Sequence, residues 1–545
     1  MNLETVLQVE TLSINLPPWS DRPHAVHQVS LAVAKGEILC LVGESGSGKS
    51  MLGKALMGLL PKPHVGISEG RIVFDGKDLS RLSEDEWRSV RGRRIAMIFQ
   101  EPMTALSPLM RVGAQIDEVL EVHTALSPVE RKERTLELIR DVHLPDPERI
   151  YSSYPHQLSG GQRQRVVIAM ALALEPQLII ADEPTTALDV TTQAQILHLI
   201  KELQRKHGTA VLFITHDFGV VAEIADRVAV MQSGELLEIG TAAQVLNEPS
   251  TAYSRQLINA VPSLSPRALT KDADQSPVLL EVQALQKIYK GPRSWWKGSS
   301  RDVHAVQGVS LRVPRQGSLA IVGESGSGKS TLARCIVGLE QADGGSMLLD
   351  GISMLGLSRS EMRPLRQKMQ MVFQDPYSSL NPRHKVGDII ALGPMIHGVS
   401  KVEAWAQAKD LLERVGLRRE AADRYPHEFS GGQRQRIGIA RALAVRPKLI
   451  IADEPVSALD VSVQKQVLDL LDELRREMGL SLLFITHDLR VAATVCENIM
   501  IMSKGEVVEQ GATSDIFARP THPYTRSLLD AIPGKSWDRP TFESL

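Results

Sequence analysis

Short apolar runs, strand-sized and rich in β-branched residues, alternate along this chain with segments whose apolar positions recur at helical spacing. Glu37-Ile38-Leu39-Cys40-Leu41-Val42, Gln177 to Ala181 and Ala210 to Ile214 read as buried strands. Ser50-Met51-Leu52-Gly53-Lys54-Ala55-Leu56 follows the first of these as a helix. Strands alternating with helices predict a parallel α/β sheet core. Between Gln100 and Ser159 the pattern changes. Val112, Ile116, Val119 and Leu120 share one helix face, and Leu136-Glu137-Leu138-Ile139 continues the helical character. A helical subdomain inserted into the sheet domain is therefore expected.

The same order then repeats. Gly43-Glu44-Ser45-Gly46-Ser47-Gly48-Lys49-Ser50 returns as Gly323-Glu324-Ser325-Gly326-Ser327-Gly328-Lys329-Ser330. Phe99-Gln100 returns as Phe373-Gln374, and Ser159-Gly160-Gly161-Gln162 as Ser430-Gly431-Gly432-Gln433. The second helical insertion includes a helix over Ala404 to Val415. Such a repeat means a duplicated unit. Pro262-Ser263-Leu264-Ser265-Pro266-Arg267, with polar residues on to Pro277, reads as an exposed linker. The expected organisation is one domain over 1–262, a linker over 263–278 and a second domain over 279–545. The length of 545 residues suits two domains rather than one core.

Composition narrows the partners. With 62 basic and 64 acidic residues the formal net charge is −2, so neither nucleic acid nor an anionic surface is called for as main partner. Cys40, Cys335 and Cys496 are far apart and lie in or beside apolar runs, which points to reduced, buried thiols in a cytosolic protein. Met1-Asn2-Leu3-Glu4 begins neither a basic nor a long apolar stretch, so no signal peptide is expected. No apolar run approaches the ~20 residues that span a bilayer. The chain is expected to cross no membrane by itself.

The repeated glycine-rich octet fits the phosphate-binding loop G-x-x-x-x-G-K-[ST], and each copy stands between a strand and a helix. Glycines let backbone N–H groups cradle phosphate oxygens; Lys49 and Lys329 reach the β/γ-phosphates; Ser50 and Ser330 ligate Mg²⁺. Ile179-Ile180-Ala181-Asp182-Glu183 and Ile450-Ile451-Ala452-Asp453-Glu454 are apolar strands ending in two carboxylates. In each pair the aspartate is placed to hold Mg²⁺, usually through water, and the glutamate to orient and deprotonate an attacking water.

Leu158-Ser159-Gly160-Gly161-Gln162 and Phe429-Ser430-Gly431-Gly432-Gln433 resemble the signature motif of ABC-type ATPases. The remaining motifs of that family follow in order. Gln100 and Gln374 match the Q-loop glutamine, Ala187-Leu188-Asp189 and Ala458-Leu459-Asp460 the D-loop, and His216 and His487 the switch histidine. The resemblance covers essentially the whole chain, twice. It implies two tandem P-loop NTPase domains of α/β class, each a mainly parallel sheet with an inserted helical subdomain and a small β subdomain. It also implies ATP and Mg²⁺ as cofactors, and γ-phosphate contacts from His216 and His487. In the family the Ser-Gly-Gly-Gln helix start meets the γ-phosphate held by the other domain's loop, so Ser159 would serve the site of Lys329 and Ser430 that of Lys49. The family usually stacks an aromatic residue on adenine. Tyr289 occupies that place in the second copy, where the first has Leu16, with Trp19 nearby.

Each copy ends in a related tail. Arg519-Pro520-Thr521-His522-Pro523-Tyr524-Thr525-Arg526 has a weaker counterpart in Glu248-Pro249-Ser250-Thr251-Ala252-Tyr253-Ser254-Arg255. These are similar to the C-terminal region of ATPases in the dipeptide/oligopeptide/nickel importer family, and the chain resembles a fusion of that family's two subunits. The tails hold no cysteine, so no iron–sulfur cluster is expected. The resemblance implies an ATPase at the cytoplasmic face of the cell membrane, bound peripherally through two integral-membrane permease subunits and served by an extracytoplasmic solute-binding protein. The alternatives are a soluble twin-ATPase translation factor acting on the ribosome, or an importer of nickel or another small solute. The short Pro/Ser-containing connector and the importer-type tails argue against the ribosomal factor.

Overall fold

In the computed structural model the runs read as buried strands pair side by side. Ile38–Val42, Leu178–Asp182 and Ala210–Thr215 are buried at every position. The structure describes residues 4–186, 188–267, 277–290, 302–457 and 459–542. Ala187 and Ala458 of the D-loops, the N-terminal Met1 to Leu3 and most of the expected linker (268–276) lie outside the described residues.

The first unit centres on a six-stranded sheet. Its order is Glu235–Thr241, Arg227–Gln232, Ile38–Val42, Ala210–Thr215, Leu178–Asp182, Ile95–Ile98. All neighbours are parallel except the edge strand Glu235–Thr241. A separate antiparallel sheet pairs His24–Ala34, Thr5–Asn15, Gly66–Phe74 and Lys77–Asp78, which is the small β subdomain. One apolar core joins the two sheets around the helix Lys49–Leu56, with Leu7, Leu12, Leu52, Leu56 and Ile214 fully buried.

The insertion folds as the helices Val112–His123, Pro128–Asp141 and Pro147–Ser152. Val112, Ile116 and Leu120 are buried on one face, as their spacing requires. Ser127 and Glu130 close a capping box at the start of the second helix. The second unit repeats each layer. Its large sheet runs Met369–Val372, Leu449–Asp453, Ser481–Thr486, Ser318–Val322, Asn498–Ser503, Glu506–Ala512, and its insertion carries Val386–Ile396 and Lys401–Arg414. The three cysteines are buried, and burial pushes the Cys335 thiol up to about 11 and that of Cys496 up to about 12.

The compact units are Met1–Val261 with Ile532–Leu545, and Pro262–Ala531. A second domain running to 545 therefore differs from the observed grouping over its last residues. Within the first unit the Asn259 amide donates to the carbonyl of Phe542 at 2.8 Å and accepts from its N–H at 3.1 Å, while Arg539 donates to the carbonyls closing the helix Ala252–Ala260. Among the described residues no helix is long and apolar enough to cross a membrane.

Candidate functional site

Each phosphate-type loop is set by its glycines. A Cβ on Gly43 would lie 2.2 Å from the carbonyl oxygen of Met231, and one on Gly48 2.3 Å from that of Ala25. Gly46 and Gly48 take φ of 76° and 105°, which only glycine adopts cheaply. Gly323 and Gly328 meet Met502 and Ala305 in the same way. Lys49 is 5% exposed, and its ammonium donates to the carbonyls of Gly43 and Glu44 at 2.8 Å each and to Ser47 Oγ at 3.3 Å. Lys329 repeats this on Gly323, Glu324 and Ser327.

The strand-end carboxylates meet the loop where the sequence predicts. Ser50 Oγ donates to Asp182 Oδ1 at 3.0 Å, and Ser330 Oγ to Asp453 Oδ1 at 3.1 Å. Burial raises the carboxyl pKa of Asp182 and Asp453 above its ordinary value, helped by the neighbouring glutamate charge. Glu183 and Glu454 hold φ of 47° and 45°. Positive φ in a glutamate is strained backbone of the kind that clusters at working sites.

Gln100 Nε2 donates to Glu183 Oε2 at 3.0 Å, and His216 Nδ1 lies 3.3 Å from Oε1. Gln374 and His487 both address Glu454 Oε2, at 2.8 and 3.2 Å. Burial alone would raise both glutamates, but the hydrogen bond and charge of the facing histidine outweigh it and hold them below the usual range. His487 is raised in return: burial opposes its charge, and Glu454 overcomes that. One difference separates the units. Thr186 Oγ1 donates to the Glu183 carboxylate at 2.9 Å, whereas Ser457 Oγ turns to the backbone carbonyl of Glu454 at 3.2 Å.

The signature residues start helices. Ser159 Oγ accepts from the Gln162 N–H and Gln162 Oε1 from the Ser159 N–H, a capping box at the head of Gly160–Leu172. Ser430 and Gln433 cap Gly431–Leu443 likewise. Gly161 and Gly432 are also packing glycines: a Cβ would come within 2.3 Å of Thr192 Cγ2 or Val463 Cγ1 on the helix that follows. Asp189 caps its own helix by accepting from the Thr192 N–H at 2.9 Å.

The residues expected beside adenine diverge between the units. Register pairs Asn15 with His24 and Ile288 with His304, so Leu16 takes the position of Tyr289. Leu16 packs against the core, whereas Tyr289 is 38% exposed with the Lys287 ammonium 5.3 Å from its ring. Trp19 is 73% exposed and meets His64 edge-on at 5.1 Å.

Two residues missing from the sequence reading touch the loops. Tyr253 Oη accepts from the Glu44 N–H and Tyr524 Oη from the Glu324 N–H, each at 3.2 Å. Their signal lies in the tail motif itself, where the tyrosine is the one aromatic residue common to both copies.

Residues 26–186 and 306–457 match the ABC transporter family. The chain belongs to that family. Residues 237–289 and 508–542 of this ABC protein further match the oligopeptide/dipeptide transporter C-terminal region. It is similar to the peptidoglycan transport ATP-binding protein of Agrobacterium fabrum, 46% identical over 532 residues, 97% of this chain and 97% of that one. It is also similar to the glutathione import ATP-binding proteins of Salmonella typhimurium and Escherichia coli O157:H7. These are 45% and 46% identical over 557 residues, covering 97% of this chain and 89% of theirs. The chain is thus an ABC ATPase with two fused nucleotide-binding domains. Its relatives over nearly full length are transport proteins, so the ribosomal alternative is set aside.

Proposed function

We propose that this chain hydrolyses ATP in both of its units to drive import of peptides or peptide-like solutes. It acts through two separate integral-membrane permease subunits, fed by an extracytoplasmic solute-binding protein. The carrying observation is the repetition of a whole set: lysine-bearing loop, Ser–Asp pair, and a strained glutamate held by glutamine and histidine.

The geometry supports a role for each residue. The N–H groups of Gly46 to Ser50 and of Gly326 to Ser330 cradle phosphates, and Lys49 and Lys329 neutralise them. Glu183 and Glu454 take a proton from water, and His216 and His487 address the γ-phosphate. The oxygen pairs Ser50–Asp182 and Ser330–Asp453 suit Mg²⁺, with Gln100 and Gln374 alongside; Mg²⁺ neutralises phosphate charge when bound. The capped Ser-Gly-Gly-Gln helix starts offer N–H groups and positive dipole to a γ-phosphate. Tyr289 offers its ring to adenine in the second unit.

The tail match and the relatives' cargo support a peptide-type solute. The working location is the cytoplasmic face of the membrane, held by the permease. Deleting the gene should abolish uptake of a di- or oligopeptide, or confer resistance to a toxic peptide. Loss of nickel uptake with peptide uptake intact would overturn the cargo assignment.

A further inference from the structure

The tail of each unit reaches back to a phosphate-type loop at one peptide bond. Tyr253 lies in the first turn of the helix Ala252–Ala260, Tyr524 in that of Pro523–Asp530. Each phenol oxygen accepts from the N–H of the loop's second residue, Glu44 or Glu324, at 3.2 Å. The other side of the same peptide is held as well. The carbonyl of Gly43 accepts from Lys49 Nζ, and that of Gly323 from Lys329 Nζ, both at 2.8 Å. The Gly43–Glu44 and Gly323–Glu324 peptides are thus gripped at oxygen by the loop lysine and at nitrogen by the tail.

The tyrosines are themselves fixed. Glu238, on the edge strand of the large sheet, accepts from the Ser250 N–H at 2.7 Å and from the hydroxyls of Thr251 and Ser254. Glu509 accepts from the Thr521 N–H and hydroxyl at 2.7 Å each and from the His522 N–H at 3.1 Å. Tyr253 is 8% exposed. A rigid strand therefore anchors the helix start, and the helix start aims the phenol.

We propose that Tyr253 and Tyr524 are positioning residues for nucleotide binding, each bracing the first peptide of its loop. This rests on reading both loops as ATP sites. The lysine and the tail hydroxyl hold that peptide from its two ends before nucleotide arrives. The tail hydroxyl keeps the peptide in place, so the loop does not have to reorder at the cost of binding energy. The importer-type tail is in this way built into the nucleotide site, and the repeat of one contact in both units argues against coincidence.

The test uses the full chain with Tyr253→Phe and Tyr524→Phe, which keep the ring and delete the hydroxyl. Each is combined with a lysine-to-alanine change in the other loop so that one site is read at a time. A fluorescent ATP analogue should bind these variants about 3–10-fold more weakly than the matching single lysine variant; with both lysines intact, Tyr253→Phe and Tyr524→Phe should raise KM for ATP, with kcat within about twofold and melting temperature nearly unchanged. Leu257→Ala, which loosens packing of the same helix without touching the hydroxyl, should lower the melting temperature and leave analogue affinity as it was. Unchanged affinity in both phenylalanine variants would overturn the proposal. So would an equal loss in Leu257→Ala, because packing alone would then account for the effect. Unaltered binding in Lys49→Ala or Lys329→Ala would instead remove the ATP-site reading beneath it.

Discussion

At Gly43 a single hydrogen atom separates a working loop from a blocked one. Gly43→Ala would set a Cβ 2.2 Å from the Met231 carbonyl oxygen, which is backbone of a central strand and cannot yield. The loop must then shift, and analogue affinity at the first site should fall by more than tenfold, on the scale of other misplacements of positioned groups. Titration with the second loop disabled by Lys329→Ala reads this directly. Gly43 was legible in the sequence because the octet fixes where glycine must stand. So were Glu183 and Glu454, since a carboxylate after a buried strand and a phosphate loop has few other reasons to recur. Their strained φ was not legible, because backbone strain leaves no mark in residue type. Nor was the split between Thr186 and Ser457. Both are small hydroxyl residues at one repeat position, but the methyl of threonine restricts χ1 and serine rotates freely.

At the scale of elements, the buried runs announced the strands and the 3.6-residue spacing announced the inserted helices. What the sequence reading lacked were contacts that cross long spans of chain. Asp350, in the turn after Gly344–Leu349, is one such centre. It accepts from Lys448 at 2.8 Å, Lys368 at 2.9 Å and Arg315, and its side chain is only 13% exposed. Hydrogen bonds from Lys448, Lys368 and Arg315 hold its carboxyl far below the ordinary value of 3.8. A depressed folded pKa gives stability that is present above the unfolded value and is lost as pH falls through the folded one. Asp350→Asn leaves three cations without their anion and should cost about 1–3 kcal/mol at pH 7. The gap between wild type and variant should shrink below about pH 4. Melting curves across pH check both the size and the sign.

For the whole molecule, duplication made the architecture readable from one copy to the next. The closing segment was harder, because nothing in Ile532–Leu545 marks it as belonging with the first compact unit rather than the one it follows. The helical insertions, around 101–157 and 375–428, are the expected permease-docking surfaces, with Gln100 and Gln374 at their entrances. Crosslinkers placed in permease cytoplasmic loops should label these insertions. Labelling confined to the linker or tails would contradict that assignment.

The central claim is that both units turn over ATP, since neither lacks a member of the set. Single-turnover hydrolysis on Glu183→Gln, Glu454→Gln and the double variant tests it most directly. With alternating sites each single variant should lose most of its hydrolysis, the double variant should fall about 10²–10⁴-fold, and all three should still bind nucleotide. If Glu183→Gln hydrolyses like wild type while Glu454→Gln abolishes the reaction, the first site is regulatory and the symmetric account is wrong.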